Sequence, residues 1–192
     1  MTKQYVYKYT EGDGKNKMLL GGKGANLCEM TQIGLRVPPG FVISTEACLD
    51  CIAGNRLPEG LMAEVRQHMT WLEQASGKHF GGAGNQLLVS VRSGSAMSMP
   101  GMMDTILNLG LNETTLAGLI EQTGNARFAY DAYRRFIQLF GKIALGVDDR
   151  FFDEHFDAIK RRAGVKSDVG LSAEDLREIG QLFLQVVHEQ TG

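Results

Sequence analysis

Backbone-punctuating residues are unevenly distributed along this chain, and that asymmetry constrains its fold more than any single motif. All four prolines and all nine methionines lie before residue 104, and 16 of the 24 glycines lie at or before Gly110. Proline fixes φ and glycine frees it, so a stretch rich in both breaks into short strands and turns, whereas a stretch poor in both can run as long helices. The chain therefore reads as two structural units of an α+β protein. Residues 1–110 form a mixed α/β unit, and residues 111–192 form a mostly helical subdomain.

Within the first unit, "QYVYKY" (4–9), "FVIS" (41–44) and "LLVSV" (87–91) are strand candidates, because aromatic and β-branched residues crowd them and turn residues bound them. "EGLMAEVRQHMTWLEQASG" (59–77) spaces Leu61, Met62, Val65, Met69 and Leu72 as a helix does, and Gly77 stands where a C-capping glycine belongs. In the second unit, Asn112 is placed to cap a helix that Gly124 closes. Ala129, Tyr133, Phe136, Ile137, Phe140 and Ile143 make the stripe of a second helix, with Arg134 and Arg135 read as its solvated face. A third helix carries Phe152, Phe156 and Ile159. A fourth opens at Ser172 with Asp175 three residues on, the spacing of a capping box.

Charge and cysteine usage exclude several classes. A formal net charge of −2 lacks the basic excess of a nucleic-acid footprint, and no run approaches the roughly 20 apolar residues of a membrane span. The amino terminus has no signal-peptide core and includes Glu11 and Asp13, so a cytoplasmic location is expected. Three cysteines are too few for a disulfide framework. Cys48 and Cys51 form a C-x-x-C without a second ligand pair at finger-like spacing, and they read as helix-face residues. Asp148, Asp149, Asp153 and Glu154 read as the solvated start of a helix, where the macrodipole favours acidic side chains. No metal site is expected in the chain.

Two stretches carry chemistry. "LLGGKGANLCEM" (19–30) combines a strand-like lead, glycines that let a backbone approach closely, and Lys23 at a helix start, a combination suited to phosphate. Its glycine spacing matches neither common phosphate-loop pattern, so a tight structural turn is the alternative reading. Arg92 follows an apolar strand and precedes "SGS", where its guanidinium could clamp phosphate oxygens or pair with a carboxylate of its own domain. The rest of that run, "SGSAMSMPGMMDTILNLGLN" (93–112), is too polar for a buried strand and too apolar for a plain surface loop.

"LLGGKGANLCEM", "VPPGFVISTEAC", "LLVSVRSGSAMSMPGMMDTILNLGLN" and "TGNARFAYDAYRRFIQLFG" closely resemble, in this order, the amino-terminal nucleotide-binding region of the pyruvate, phosphate dikinases. The methionine-rich "SMPGMMDTILNLGLN" is the specific part, since phosphoenolpyruvate synthases share only the G-K-G and V-R-S elements. The resemblance implies a partial ATP-grasp fold, with its first lobe in residues 1–110 and a helical subdomain in 111–192. It implies ATP as ligand, Lys23 and Arg92 on the phosphates, and Gly101 and Met103 on a loop closing over the nucleotide. Magnesium is implied as well, with its ligands outside this chain.

The family's second ATP-grasp lobe, its phosphohistidine domain and its pyruvate-binding barrel are expected beyond residue 192, and the resemblance suggests a homodimeric parent. No catalytic residue is therefore assigned here, and the chain alone is expected to lack dikinase activity. A stand-alone nucleotide- or protein-binding module, or a piece of a phosphoenolpyruvate synthase, is the alternative.

Overall fold

The computed structural model describes residues 3–82, 84–95 and 104–192. The chain forms two compact units, one running to Lys78 and taking in the segment that begins at Ser93, the other made of His79–Arg92 and Asp104–Gly192. The units and the composition break near residue 110 do not coincide, because strands from the glycine-rich half pack with the helices.

In the first unit, β1 (Val6–Lys8) pairs antiparallel with β2 (Phe41–Ile43), placing Val6 opposite Ile43. Three helices surround this ribbon: α1 (Lys17–Gln32), α2 (Thr45–Gly54) and α3 (Leu61–Ser76). Two strands alone are marginal in water, so the ribbon depends on the helices that cover it. Tyr5, Val6, Ala47 and Leu61 form one buried cluster, and Leu20, Ala25 and Cys28 form another beneath Tyr7, Tyr9 and Val42. Glu64 of α3 ties helix to strand, its Oε2 accepting from the main-chain N–H of Tyr5 and of Val6 at 2.9 Å each. His68, one turn on, donates from Nδ1 to the Glu64 carbonyl and packs its ring against Phe41, so its role is packing.

The second unit holds β3 (His79–Phe80) parallel to β4 (Gln86–Leu87), and β5 (Val89–Arg92) antiparallel to β6 (Thr105–Leu109). The run 87–91, expected as a single strand, is thus divided between two partners. Helices α4 (Glu113–Thr123), α5 (Ala126–Leu145), α6 (Asp149–Ala163) and α7 (Ala173–Thr191) complete it. Their core joins Ile137, Phe152, Ile159, Leu176, Ile179 and Phe183, with the Phe152 and Phe183 rings edge-on at 5.0 Å. Asn112 caps α4 and Gly124 closes it, as their positions predict.

Two sequence readings are corrected here. Leu19 and Leu20, read as a strand-like lead, lie in the first turn of α1, where the Asn16 side chain accepts from the Leu19 N–H. Arg134, read as part of a solvated face, is only 4% exposed. It pairs with Asp131 at 2.7 Å and Asp168 at 3.1 Å and lies over the Phe156 ring, so both its charge and its flat face are compensated. Arg135 does stay at the surface, paired with Asp131.

The capping box of α7 is formed as expected: Asp175 N–H donates to Ser172 Oγ, while Ser172 N–H and Oγ–H both donate to Asp175 Oδ2. The Ser172 hydroxyl, with help from Arg162, holds the Asp175 carboxyl below the usual range. A carboxyl with a lowered folded-state pKa stabilises the fold above its unfolded pKa, and that contribution is lost as pH falls below about 4. The stability advantage of the native chain over Asp175→Asn is therefore expected to be full near neutrality and to shrink through that acid window. Urea titrations at stepped pH check it, and a gap constant down to about pH 2 would contradict it.

Candidate functional site

The segment Gly21–Gly24 is shaped by three glycines with three different tasks. At Gly21 the helix breaks, with φ 68° and ψ 162°, and it resumes at once with Gly22. The N–H of Gly22 donates to the Ser95 carbonyl at 2.7 Å. Gly24 is buried against β2: a Cβ there would lie 2.8 Å from Val42 Cγ1 and 3.0 Å from Cγ2, too close for any side chain.

Lys23, between them, is exposed and donates from Nζ to the Ser93 carbonyl at 3.1 Å. The G-G-K-G turn thus grips the S-G-S segment in two places, once through the main chain and once through the lysine. A lysine amine has three donors, so one bond to a carbonyl leaves capacity for an anion. Cys28 lies lower on the same helix, fully buried, and burial, followed by the Asp13 charge, pushes its thiol up, which makes it a packing residue rather than a nucleophile.

Arg92 is the last residue of β5, opposite Thr105 in β6, and it is exposed. It belongs to the second unit, whereas Ser93, next in the chain, belongs to the first. Gly101 and Met103 lie outside the described residues. Among the described residues, no group of three or more His, Cys, Asp or Glu side chains is placed to hold a metal ion, and no helix is long and apolar enough to cross a membrane.

Cys48 is exposed and Cys51 half-buried on α2, as helix-face residues. Asp148 is the N-cap of α6, and Lys142 and Arg150 pair with the acidic side chains there. The first unit also has an open cavity of about 290 Å³ lined by Tyr9, Val37, Pro38, Pro39 and Trp71 among others. Among the described residues, no charged side chain lines it.

Sequence reasoning singled out Lys23 and the glycine cluster but not the division of labour among the glycines, nor Ser93 and Ser95 as the partners of the turn. Only the repetition of small residues in both stretches, G-G-K-G and S-G-S, hinted that two backbones approach closely.

The candidate site is a glycine turn restarting a helix, with an exposed lysine beside a small-residue loop. Among known proteins, the family described as pyruvate phosphate dikinase, AMP/ATP-binding domain, matches residues 17–77. Pyruvate, phosphate dikinase of Entamoeba histolytica is 60% identical over 189 residues, covering 98% of this chain and 21% of the relative. Those of Clostridium symbiosum and Giardia intestinalis are 46% and 48% identical, over 97% and 92% of this chain. The chain is thus similar to pyruvate, phosphate dikinases along nearly its whole length, while spanning about a fifth of theirs.

Proposed function

We propose that this chain is the amino-terminal ATP-binding portion of a pyruvate, phosphate dikinase. The parent interconverts ATP, phosphate and pyruvate with AMP, pyrophosphate and phosphoenolpyruvate through a phosphohistidine carried on another domain. In this reading residues 1–110 supply the first ATP-grasp lobe and residues 111–192 a helical subdomain attached to it. The second lobe, the phosphohistidine domain and the pyruvate-binding barrel are partners supplied elsewhere in a homodimeric, cytoplasmic parent. In this reading the magnesium ligands are supplied outside this chain.

The observation that carries the reading is the bond from Lys23 Nζ to the carbonyl of Ser93, the residue following Arg92. It keeps a flexible ammonium on the V-R-S stretch that the family resemblance assigns to phosphate. Lys23 and Arg92 each act as ligands of the ATP phosphates. A compact ammonium and a forked guanidinium suit different oxygens, and both oppose the charge that builds on the polyphosphate during pyrophosphoryl transfer. Gly101 and Met103 cover the nucleotide, the methionine thioether adapting to the flat base. The chain itself binds the nucleotide, while the chemistry belongs to the assembled parent.

A charge-assisted bond to phosphate contributes about 1.5–3 kcal/mol, so Lys23→Ala and Arg92→Ala are each expected to weaken ATP binding by roughly 10- to 100-fold. Arg150→Ala removes an equally positive exposed side chain, paired with Asp148, and serves as the control for net charge. Titration of the four proteins with ATP decides the matter: unchanged affinity in both Lys23→Ala and Arg92→Ala would refute the assignment.

A further inference from the structure

We infer that Gly21 is a positioning residue of this nucleotide site, and that its main-chain break holds the Ser93–Ser95 segment against the Lys23 turn. The inference rests on the nucleotide reading above, because it concerns how that site is held in shape.

In an unbroken helix the N–H of Gly22 would bond the carbonyl of Met18, and the N–H of Lys23 that of Leu19. The break at Gly21 turns the Gly22 N–H out of the helix, and neighbouring segments partner the groups around it. The Gly22 N–H turns to the Ser95 carbonyl at 2.7 Å. The carbonyls of Met18 and Leu19 both accept from the hydroxyl of Thr45, the first residue of α2, the Leu19 contact at 3.2 Å. Buried or half-buried main-chain groups that lose a helical bond destabilise the fold unless they are satisfied elsewhere. Here the Gly22 N–H and the two carbonyls find partners in two other segments, at Ser95 and Thr45, which marks the break as a built feature rather than a frayed turn.

Conformation, not space, reserves the position for glycine. With φ 68° and ψ 162°, Gly21 sits in a region that essentially only glycine occupies. A Cβ there would meet nothing nearer than the Ser95 nitrogen at 3.4 Å, an ordinary contact. Gly22 is the converse: its Cβ would meet only the Ser95 carbonyl oxygen, at 3.5 Å, and its φ lies outside the left-handed region. Alanine at 21 cannot hold these angles without strain, so the Gly22 N–H loosens from Ser95 while the Met18 carbonyl stays held by Thr45. Alanine at 22 brings no such strain. The two substitutions change the same group at adjacent positions and should part company only if the break is what matters.

The test is amide hydrogen exchange and ATP titration, both followed by NMR on the ¹⁵N-labelled full chain, for the native protein, Gly21→Ala, Gly22→Ala and Thr45→Val. In Gly21→Ala, the amide of residue 22 is expected to lose about tenfold or more of its protection while amides at residues 25–31 keep theirs, and ATP affinity is expected to fall by about tenfold. Gly22→Ala should stay within about twofold of the native chain in affinity. Thr45→Val, which leaves both glycines in place, should weaken residue 22 protection and ATP affinity by about threefold, and it carries the test alone if Gly21→Ala does not fold.

Retained protection at residue 22 in Gly21→Ala, or in Thr45→Val if only that variant folds, overturns the inference whatever ATP does. Lost protection with unchanged ATP affinity overturns the positioning role. Absence of any ATP-induced shift at Lys23 in the native chain sinks the nucleotide reading instead, and the exchange comparison then still decides what the break does.

Discussion

Replacing Phe152 by alanine is expected to cost about 3–5 kcal/mol of stability, close to the largest loss a single core substitution produces in a protein of this size. Phe152 is wholly buried among Ile137, Leu176, Ile179 and Phe183, and its ring meets Phe183 edge-on at 5.0 Å. Truncation removes transfer free energy, leaves a cavity and deletes that aromatic contact. The surroundings cannot collapse into the space, because the facing element is a helix crossing already in close approach. A Cβ on Gly141 would lie 2.8 Å from Phe152 Cζ and 3.1 Å from Val187 Cγ2.

This gives the prediction a second, sharper part. Gly141→Ala alone should destabilise by about 1–3 kcal/mol through overpacking, but in a Phe152→Leu background, where the offending ring edge is gone, the same change should cost much less. Urea denaturation followed by far-UV circular dichroism measures all four corners of that cycle. Additive losses would show that α5, α6 and α7 relax independently and that the packing described here does not limit stability.

Removing the Glu64 carboxylate is expected to cost about 2–4 kcal/mol, for a reason of another kind. One oxygen, Oε2, serves the N–H groups of both Tyr5 and Val6, and Val6 is completely buried. Glu64→Ala leaves two main-chain donors without their acceptor at the edge of a ribbon that has, among the described residues, no third strand to supply one. Glu64→Gln keeps an acceptor oxygen of the same reach and should lose only about 1 kcal/mol, the difference between a charged and a neutral bond. Trp71, the only tryptophan, lies two turns along the same helix and reports the unfolding of this unit by its fluorescence. Equal losses for the alanine and glutamine variants would mean that α3 packing, not the carboxylate, anchors β1.

Local order was well marked in the chain. Gly77, the Asn112 to Gly124 helix and the Ser172–Asp175 box all stand where short-range physics places them, because a cap is decided within four residues of itself. Long-range partners were not marked. Arg134 and Arg135 are neighbours with the same chemistry, yet one is buried on Phe156 between two aspartates and the other is solvated. What separates them is that Asp168, 34 residues away, comes to one and not the other. The division of 87–91 into two strands has the same origin, since the pairing of its second part depends on Leu109, 20 residues beyond Val89.

The chemistry shows the same division. Sequence alone determined that the chain is α+β and that its motifs resemble those of the dikinase nucleotide-binding region, because residue type and spacing carry charge, flexibility and helix phase. Only the tertiary structure decided what each glycine of G-G-K-G does. Gly21 breaks a helix, Gly22 lends its N–H to Ser95, and Gly24 makes room for Val42. Three identical side chains can differ only in backbone angle and in what approaches them, and both are properties of the folded chain.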